Sequence, residues 1–389
     1  MAFFLIVLVT IINHVAFKGS KLLITLFAID LGANPLEIGV VFAMYSVFPV
    51  FLSVYAGKVS DRLGFRAPML FGSVGLVAGL TLPFAMPQLS SLYLSATLIG
   101  MCYIFYTVSV QHLVGSFGEG PARTRNYSLF SLGIGLTALL GPTTAGFAID
   151  LVGHRATYAL LALFPLVPIA MLAFFSRIVP RPEAHRTDRR EHRVMDLVAN
   201  VPLRRTLIAS ATIETGLELV NFLLPIYGHS IGLSASQIGV LLGAFALALL
   251  AVRTVMPALV RRSSEERVLS VSLFAAALTL LAFPGVADFT LLLAMAFLLG
   301  LGLGCGAPVS LVLAYNRAPA GRSGEAIGLR QTVNKAIEML MPIIFGSLST
   351  AFGMIPVFWL DALMLAYGGA LMRGDARNKI KSGQPPSAG

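Results

Sequence analysis

Runs of about twenty apolar residues recur along this chain from one end to the other, and about twenty is what a helix needs to cross a bilayer. They are too long for barrel strands, which need about ten residues of alternating character. Of 389 residues, 57% are hydrophobic and 12% charged, against about 25% charged in a soluble domain. So much apolar surface requires lipid as the solvent. Twelve spans are expected, near 5–29, 35–57, 67–87, 91–114, 126–149, 156–176, 205–228, 235–258, 268–287, 289–315, 326–350 and 355–373. The first begins at Phe3 without a cleavage site and is expected to be a retained helix. Cys102 and Cys305 both fall inside apolar runs and are expected as buried thiols, neither disulfide-bonded nor metal-binding.

The longest polar interruption, 177–204, divides the spans six and six and carries most of a run of eight arginines from Arg177 to Arg205. Loops on the same side of the membrane hold 22 of the 28 lysines and arginines, whereas the other side holds only Arg155. Basic loops stay in the cytoplasm. The formal net charge of +10 is therefore a topology signal, not a nucleic-acid surface. With an even number of spans, both termini are expected in the cytoplasm of a multi-pass protein of the cell inner membrane.

The two halves align at a single offset of 200 residues. "IGVV" at 38–41 meets "IGVL" at 238–241; Gly32 meets Gly232, Arg62 meets Arg262, Pro142 meets Pro342, and Gly153 meets Gly353. A parallel repeat of six helices is one of the plans of secondary transporters. The expected fold is an all-α integral membrane protein of twelve transmembrane helices in two pseudo-symmetric bundles. Its parts are bundle 1–176, cytoplasmic linker 177–204, bundle 205–373 and cytoplasmic tail 374–389.

With the repeat in view, "GKVSDRLGFR" at 57–66 resembles the signature between helices 2 and 3 of the major facilitator superfamily, G-x-x-x-D-R-x-G-R-[RK]. Gly57, Asp61, Arg62, Gly64 and Arg66 match in register, while Phe65 stands where a basic residue is usual. The resemblance implies a cytoplasmic turn in which the glycines allow tight packing. Asp61 would accept from a helix N-terminus or pair with an arginine, as a latch on conformation. "GPTTAG" at 141–146 is similar to the G-P-x-x-G-G signature of the drug:proton antiporter branch, with Ala145 in place of one glycine. Gly141, Pro142 and Gly146 are there expected to bend helix 5 and let it pack closely, a reading open to any kinked helix. Helix 4 lacks the arginine that many antiporters of that branch carry.

Charges within spans are costly and face a cavity or each other. His14, Lys18 and Lys21 fall within about 60° of one helical face. Shifted by 200 they become Glu214, Glu218 and Asn221, a polar face carrying two carboxylates. The resemblance implies that helices 1 and 7 line a central cavity. The lysines and glutamates then either pair in one conformation, broken by substrate or proton, or form a static network. His14 is read equally as a proton carrier or as a hydrogen-bonded structural residue. In helix 11, Arg330, Gln331, Asn334 and Glu338 share a face, with Lys335 to its side. Their counterparts Phe130, Ser131, Ile134 and Ala138 are apolar or small. The cluster would hold an anionic group, gate the inner side or contact helix 2. Arg253 is a further candidate. Tyr103 and Tyr106 line a cavity or sit at the lipid interface. Counting Lys18, Lys21, Arg253, Arg330 and Lys335 against Glu214, Glu218 and Glu338, the spans are cationic by two.

These readings converge on a proton-coupled exporter of a small anionic, zwitterionic or amphiphilic compound, working as a monomer by alternating access. The alternative is a proton symporter importing an organic anion or nutrient. The partners expected are the bilayer, a small-molecule substrate and protons. No cofactor, metal or nucleic acid is called for, and no nucleophile–base set or phosphate loop points to an enzyme.

Overall fold

The computed structural model describes residues 2–117, 120–174, 195–319 and 322–381. Most of the expected linker, 177–194, and the end of the tail, 382–389, lie outside the described residues. Every described element is a helix: α1 (Ala2–Asp30), α2 (Pro35–Leu63), α3 (Arg66–Ala85), α4 (Leu89–Ser116), α5 (Gly120–Leu163), α6 (Leu166–Phe174), α7 (Met195–Ala199), α8 (Val201–Ser230), α9 (Ala235–Arg262), α10 (Glu265–Ala282), α11 (Phe289–Gly304), α12 (Gly306–Asn316), α13 (Ser323–Phe352) and α14 (Ile355–Lys381).

Ten stretches among the described residues are long and apolar enough to cross a membrane. One of them, Arg125–Phe174, contains two of the twelve expected spans, because the chain kinks at Gly153 (φ 79°). Near its start, the Tyr127 hydroxyl donates to Gln111 O. Past the kink, Arg155 donates to Phe84 O, at the far end of α3. At the end of α6, Arg66 at the start of α3 reaches Leu172 and Ala173. The segment therefore goes out and comes back. The remaining expected span, 268–287, corresponds to α10, which opens on Glu265, Glu266 and Arg267.

Several helices begin earlier or run longer than the apolar pattern suggests. Asn200 Oδ1 accepts from Leu203 N, and Pro202 suits the first turn of a helix, so α8 begins at Val201 and takes in Arg204 and Arg205. α2 continues through "GKVSDRL", so the motif read as a turn is mostly helix and turns only at Gly64, φ 78°. Gly57 is thus inside a helix. A Cβ there would come no closer than 4.0 Å to Val108 Cγ1, so the tight packing expected of Gly57 is not found.

The 200-residue offset recurs in the backbone. Gly32 (φ 82°) matches Gly232 (φ 84°), and Gly153 (φ 79°) matches Gly353 (φ 81°). These are positive-φ conformations that glycine adopts without a Cβ clash. Close helix approaches repeat too: a Cβ on Gly100 would stand 2.5 Å from Tyr45 O, and one on Gly300 would stand 2.4 Å from Phe245 O. Small residues at such crossings are how helices pack in lipid, where apolar burial gives no drive.

The chain groups into two compact units, Met1–Thr187 with Leu224–Gly243, and Asp188–Leu223 with Ala244–Gly389. In the first, Tyr45, Tyr103, Tyr106 and Tyr158 are buried; in the second, Phe222, Phe283, Phe345 and Phe358 are. Phe51, Phe71, Leu278 and Leu363 leave large apolar side chains exposed, as a lipid-facing surface requires.

Candidate functional site

In the first unit, α1, α4 and α5 frame a cavity of about 410 Å³ lined by Thr10, His14, Gln111, Tyr127, Phe130, Ser131 and their neighbours. His14 Nδ1 lies 2.8 Å from the Tyr103 hydroxyl. Tyr103 stacks on Phe17 (4.4 Å between centroids) and on Tyr106 (5.4 Å). The Tyr106 hydroxyl donates to Thr10 Oγ1 at 3.1 Å. Both tyrosines are almost wholly buried, so the lipid-interface alternative does not hold for them. Lys21 lies one turn beyond Phe17. Its ammonium stands 4.8 Å from the Phe42 ring centre, 5.8 Å from Tyr45 and 5.9 Å from Phe17. Three ring faces around one ammonium favour the cation electrostatically. Lys18 sits where α1 crosses α5: a Cβ on Gly141 would fall 2.6 Å from Lys18 Cβ and 2.9 Å from Gly19 N.

The same stretch of α5 meets the start of α9. A Cβ on Gly239 would fall 2.6 Å from Pro142 O, and one on Gly146 2.3 Å from Ala235 O. Asp150, one turn beyond Gly146, accepts from Ala235 N (3.1 Å) and Ser236 N (2.9 Å), capping α9. "GPTTAG" is therefore a two-sided packing surface, with glycines at both contacts.

In the second unit a hydrogen-bonded chain joins α8, α12 and α13. Arg330 donates to Ser210 Oγ and Ser310 Oγ, both at 3.1 Å. Ser210 donates to Asn334 Oδ1 at 3.0 Å, and Asn334 Nδ2 donates to Glu214 Oε2 at 3.0 Å. Arg330 is buried (8%), as is Glu218 (4%). Lys335 pairs with Glu338 one turn further on, and Glu214 and Glu218 also act on its charge. The spacing of four and three that placed these side chains on one face of α8 and α13 is what brings them together. Gln331 is exposed, and Asn221 donates to Leu217 O of its own helix, so neither joins the chain. Arg253 interacts with Cys305, and its Nε has no hydrogen-bond partner among the described residues.

The signature at 57–66 divides its work. Arg66 Nε and Nη2 donate to Leu172 O (2.6 Å) and Ala173 O (2.9 Å), closing the last turn of α6. Asp61 Oδ1 stands 3.4 Å from His112 Nδ1, and the His112 ring meets Phe65 edge-on at 5.2 Å. Arg62 lies in the last turn of α2.

Two features escaped the sequence. Arg317, read only as a loop charge, donates to Asp375 Oδ2 (2.8 Å), Glu266 Oε1 (3.2 Å), Thr206 Oγ1 and Pro202 O. Arg205 holds the other oxygen of Asp375. The second is Asp361, a wholly buried carboxyl in α14; added to the eight charges named above, it brings their balance from cationic by two to cationic by one. Among the described residues no group of three or more His, Cys, Asp or Glu could hold a metal, and Cys102 and Cys305 are buried and free.

Comparison with known proteins places this architecture. The model of the Major Facilitator Superfamily matches residues 6–213 and again 206–386, one match per repeat. The chain is similar to the multidrug resistance protein MdtG of Dickeya zeae (23% identity over 332 residues, covering 83% of this chain and 80% of the relative). It is 25% identical to MdtG of Klebsiella pneumoniae over 334 residues, again 83% and 80%. The class B tetracycline resistance protein of Escherichia coli is 26% identical over 139 residues, 36% of this chain and 34% of that one. Among solved structures, the peptide transporter POT with bound sulfate superposes with a TM-score of 0.81 at 15% identity, covering 97% of this chain and 94% of that one. The nucleoside transporter NupG does so with 0.79 at 12% identity, covering 96% and 99%.

Proposed function

The chain belongs to the Major Facilitator Superfamily, and on that premise we propose that it is a proton-coupled exporter of a small anionic, zwitterionic or amphiphilic compound, working by alternating access. We place it in the inner membrane as a monomer. Both termini and the 177–204 linker face the cytoplasm, with 1–176 and 205–373 as its two bundles and 374–389 as its tail. The basic loops support that orientation, and the multidrug resistance relatives support export.

The observation that carries the reading is the chain Arg330–Ser210–Asn334–Glu214. A carboxylate accepts only; a protonated carboxyl also donates. Asn334 gives its amide hydrogen to Glu214 as an acceptor. Protonation of Glu214 would weaken that bond and remove the negative charge that helps hold Arg330 and Lys335. A substrate group that pairs with the ionised Glu214, such as the ammonium of a zwitterion, is displaced when that carboxylate takes a proton. Proton and substrate thereby alternate on one carboxylate, which is the exchange an antiporter needs. Glu218, one turn on, is the second candidate carrier. In the first unit, His14, Tyr103 and the cavity beside them offer an aromatic wall for an apolar part of the substrate. The caging of Lys21 by three rings fixes its charge in place.

The test is transport in proteoliposomes under an imposed pH gradient, with a panel of organic anions, zwitterions and cations. Substrate moving against the proton flow, and lost in Glu214→Gln, supports export. Substrate that follows protons inward makes the protein a symporter.

A further inference from the structure

Asp361 in α14 is used by nothing described so far. It is wholly buried (0%), and neither carboxyl oxygen has a hydrogen-bond partner among the described residues. One turn either way on its own helix lie Phe358 and Leu365, both buried and apolar. The polar side chain beside it is Thr215 of α8. The Thr215 hydroxyl has one hydrogen, and it goes to Thr212 O at 2.8 Å. Toward Asp361, Thr215 is therefore an acceptor. An ionised carboxylate is also acceptor-only, so the two would face each other lone pair to lone pair in a place closed to solvent. A protonated carboxyl supplies the missing donor.

The repeat says that packing does not demand this pair. At the offset of 200, Asp361 corresponds to Leu161 and Thr215 to Val15, both buried and aliphatic. The first bundle thus fills the same positions with hydrocarbon alone.

The charges around Asp361 are few. α10 packs against α14 with a register set by the Ser270–Gly369 hydrogen bond and the stacked Phe283 and Phe358 rings. Its only charges, Glu265, Glu266 and Arg267, lie in its first turn, at the opposite end from Phe283. α13 brings Arg330, Lys335 and Glu338, which are engaged as described. α8 brings Glu214 and Glu218, the latter about 60° around the helix from Thr215. On α14 itself, Arg373 and Asp375 are more than three turns away. None of these is a cation paired with Asp361.

We propose that Asp361 is a proton-binding site of the second unit, occupied in the conformation seen here, with its carboxyl O–H directed at Thr215 Oγ1. When a shift of α8 or α14 admits water, the proton passes to that water and leaves a carboxylate; the reverse step reloads it. What the proton does for transport rests on the proton-coupled reading above. Its presence does not.

Infrared spectroscopy of the full-length protein in lipid nanodiscs near neutral pH tests this. The wild type should show the carbonyl band of a protonated carboxyl that Asp361→Asn lacks. Thr215→Val, which removes the acceptor, should move that band to higher frequency. Asp361→Leu, which installs the residue of the first repeat, should fold at least as stably as the wild type and also lack the band. An unchanged band in Asp361→Asn overturns the proposal. Should neither Asp361 variant fold, Thr215→Val decides: an unshifted band overturns it. No substrate or gradient enters the measurement, so failure of the coupling reading leaves the band standing. A wild type without the band, conversely, overturns the Asp361 site and leaves Glu214 as the carrier.

Discussion

Asn334 Nδ2 donates to Glu214 Oε2 across 3.0 Å, and this bond ties α13 to α8 in the middle of a membrane-spanning bundle. The carbonyl of the same amide receives Ser210. Asn334→Leu keeps the volume and removes both functions. It leaves Glu214 and Ser210 each short of a partner, at about 1–3 kcal/mol apiece. Proton-driven transport should fall at least about tenfold, the factor that about 1.4 kcal/mol represents. Asn334→Asp should be worse, because it sets two carboxyls at hydrogen-bond distance. Transport assays on both variants, alongside thermal melting, separate lost function from lost folding.

Arg317 answers to Glu266 and Asp375, and all three side chains are at most 12% exposed. Arg317→Ala strips two buried carboxylates of their main counter-charge, leaving Arg205 on one of them. The expected loss is about 3–5 kcal/mol, read as a lower melting temperature in detergent. Adding Glu266→Gln to that variant should restore much of it, since Asp375 keeps Arg205 and no buried carboxylate is then left without a cation.

Gly141 meets α1 where a Cβ would lie 2.6 Å from Lys18 Cβ and 2.9 Å from a backbone nitrogen that has little room to move. Gly141→Val should destabilise the protein by about 1–3 kcal/mol through forced separation of α1 and α5. Gly57→Ala is the contrast. With nothing closer than 4.0 Å, it should leave the melting temperature unchanged or raise it slightly, by the helix preference of alanine, about 0.5–1 kcal/mol.

Gly153 and Gly353 hold φ values of 79° and 81° with open space around the Cβ position. Only the backbone conformation should matter there. Each glycine-to-alanine change should therefore cost about 1–3 kcal/mol, and the two costs should agree if the repeat is structural as well as sequential. Melting curves of the two single variants make the comparison.

What the sequence reveals here follows from period and offset. Span lengths, the repeat and the faces of α1, α8 and α13 are all set by regular spacing, and the positive-φ glycines at 32/232 and 153/353 confirm the offset residue for residue. Helix ends were less legible because caps and first-turn prolines override hydropathy, as at Asn200 and Pro202. The Arg317 network has no signal in sequence, since its partners lie 51, 58 and 111 residues away. Asp361 is a single polar residue in an apolar run, where only the packing of neighbouring helices decides whether it meets lipid or protein. Asp61 shows a further limit. The resemblance implied a helix N-terminus or an arginine as its partner, and the structure adds His112.

The most direct measurement of the central claim is proton flux with substrate flux in proteoliposomes carrying the wild type or Glu214→Gln. The account predicts that the wild type moves substrate opposite to an imposed proton gradient. Glu214→Gln should still exchange substrate for substrate with no gradient, yet fail to accumulate it. A Glu214→Gln protein that accumulates substrate as the wild type does would contradict it.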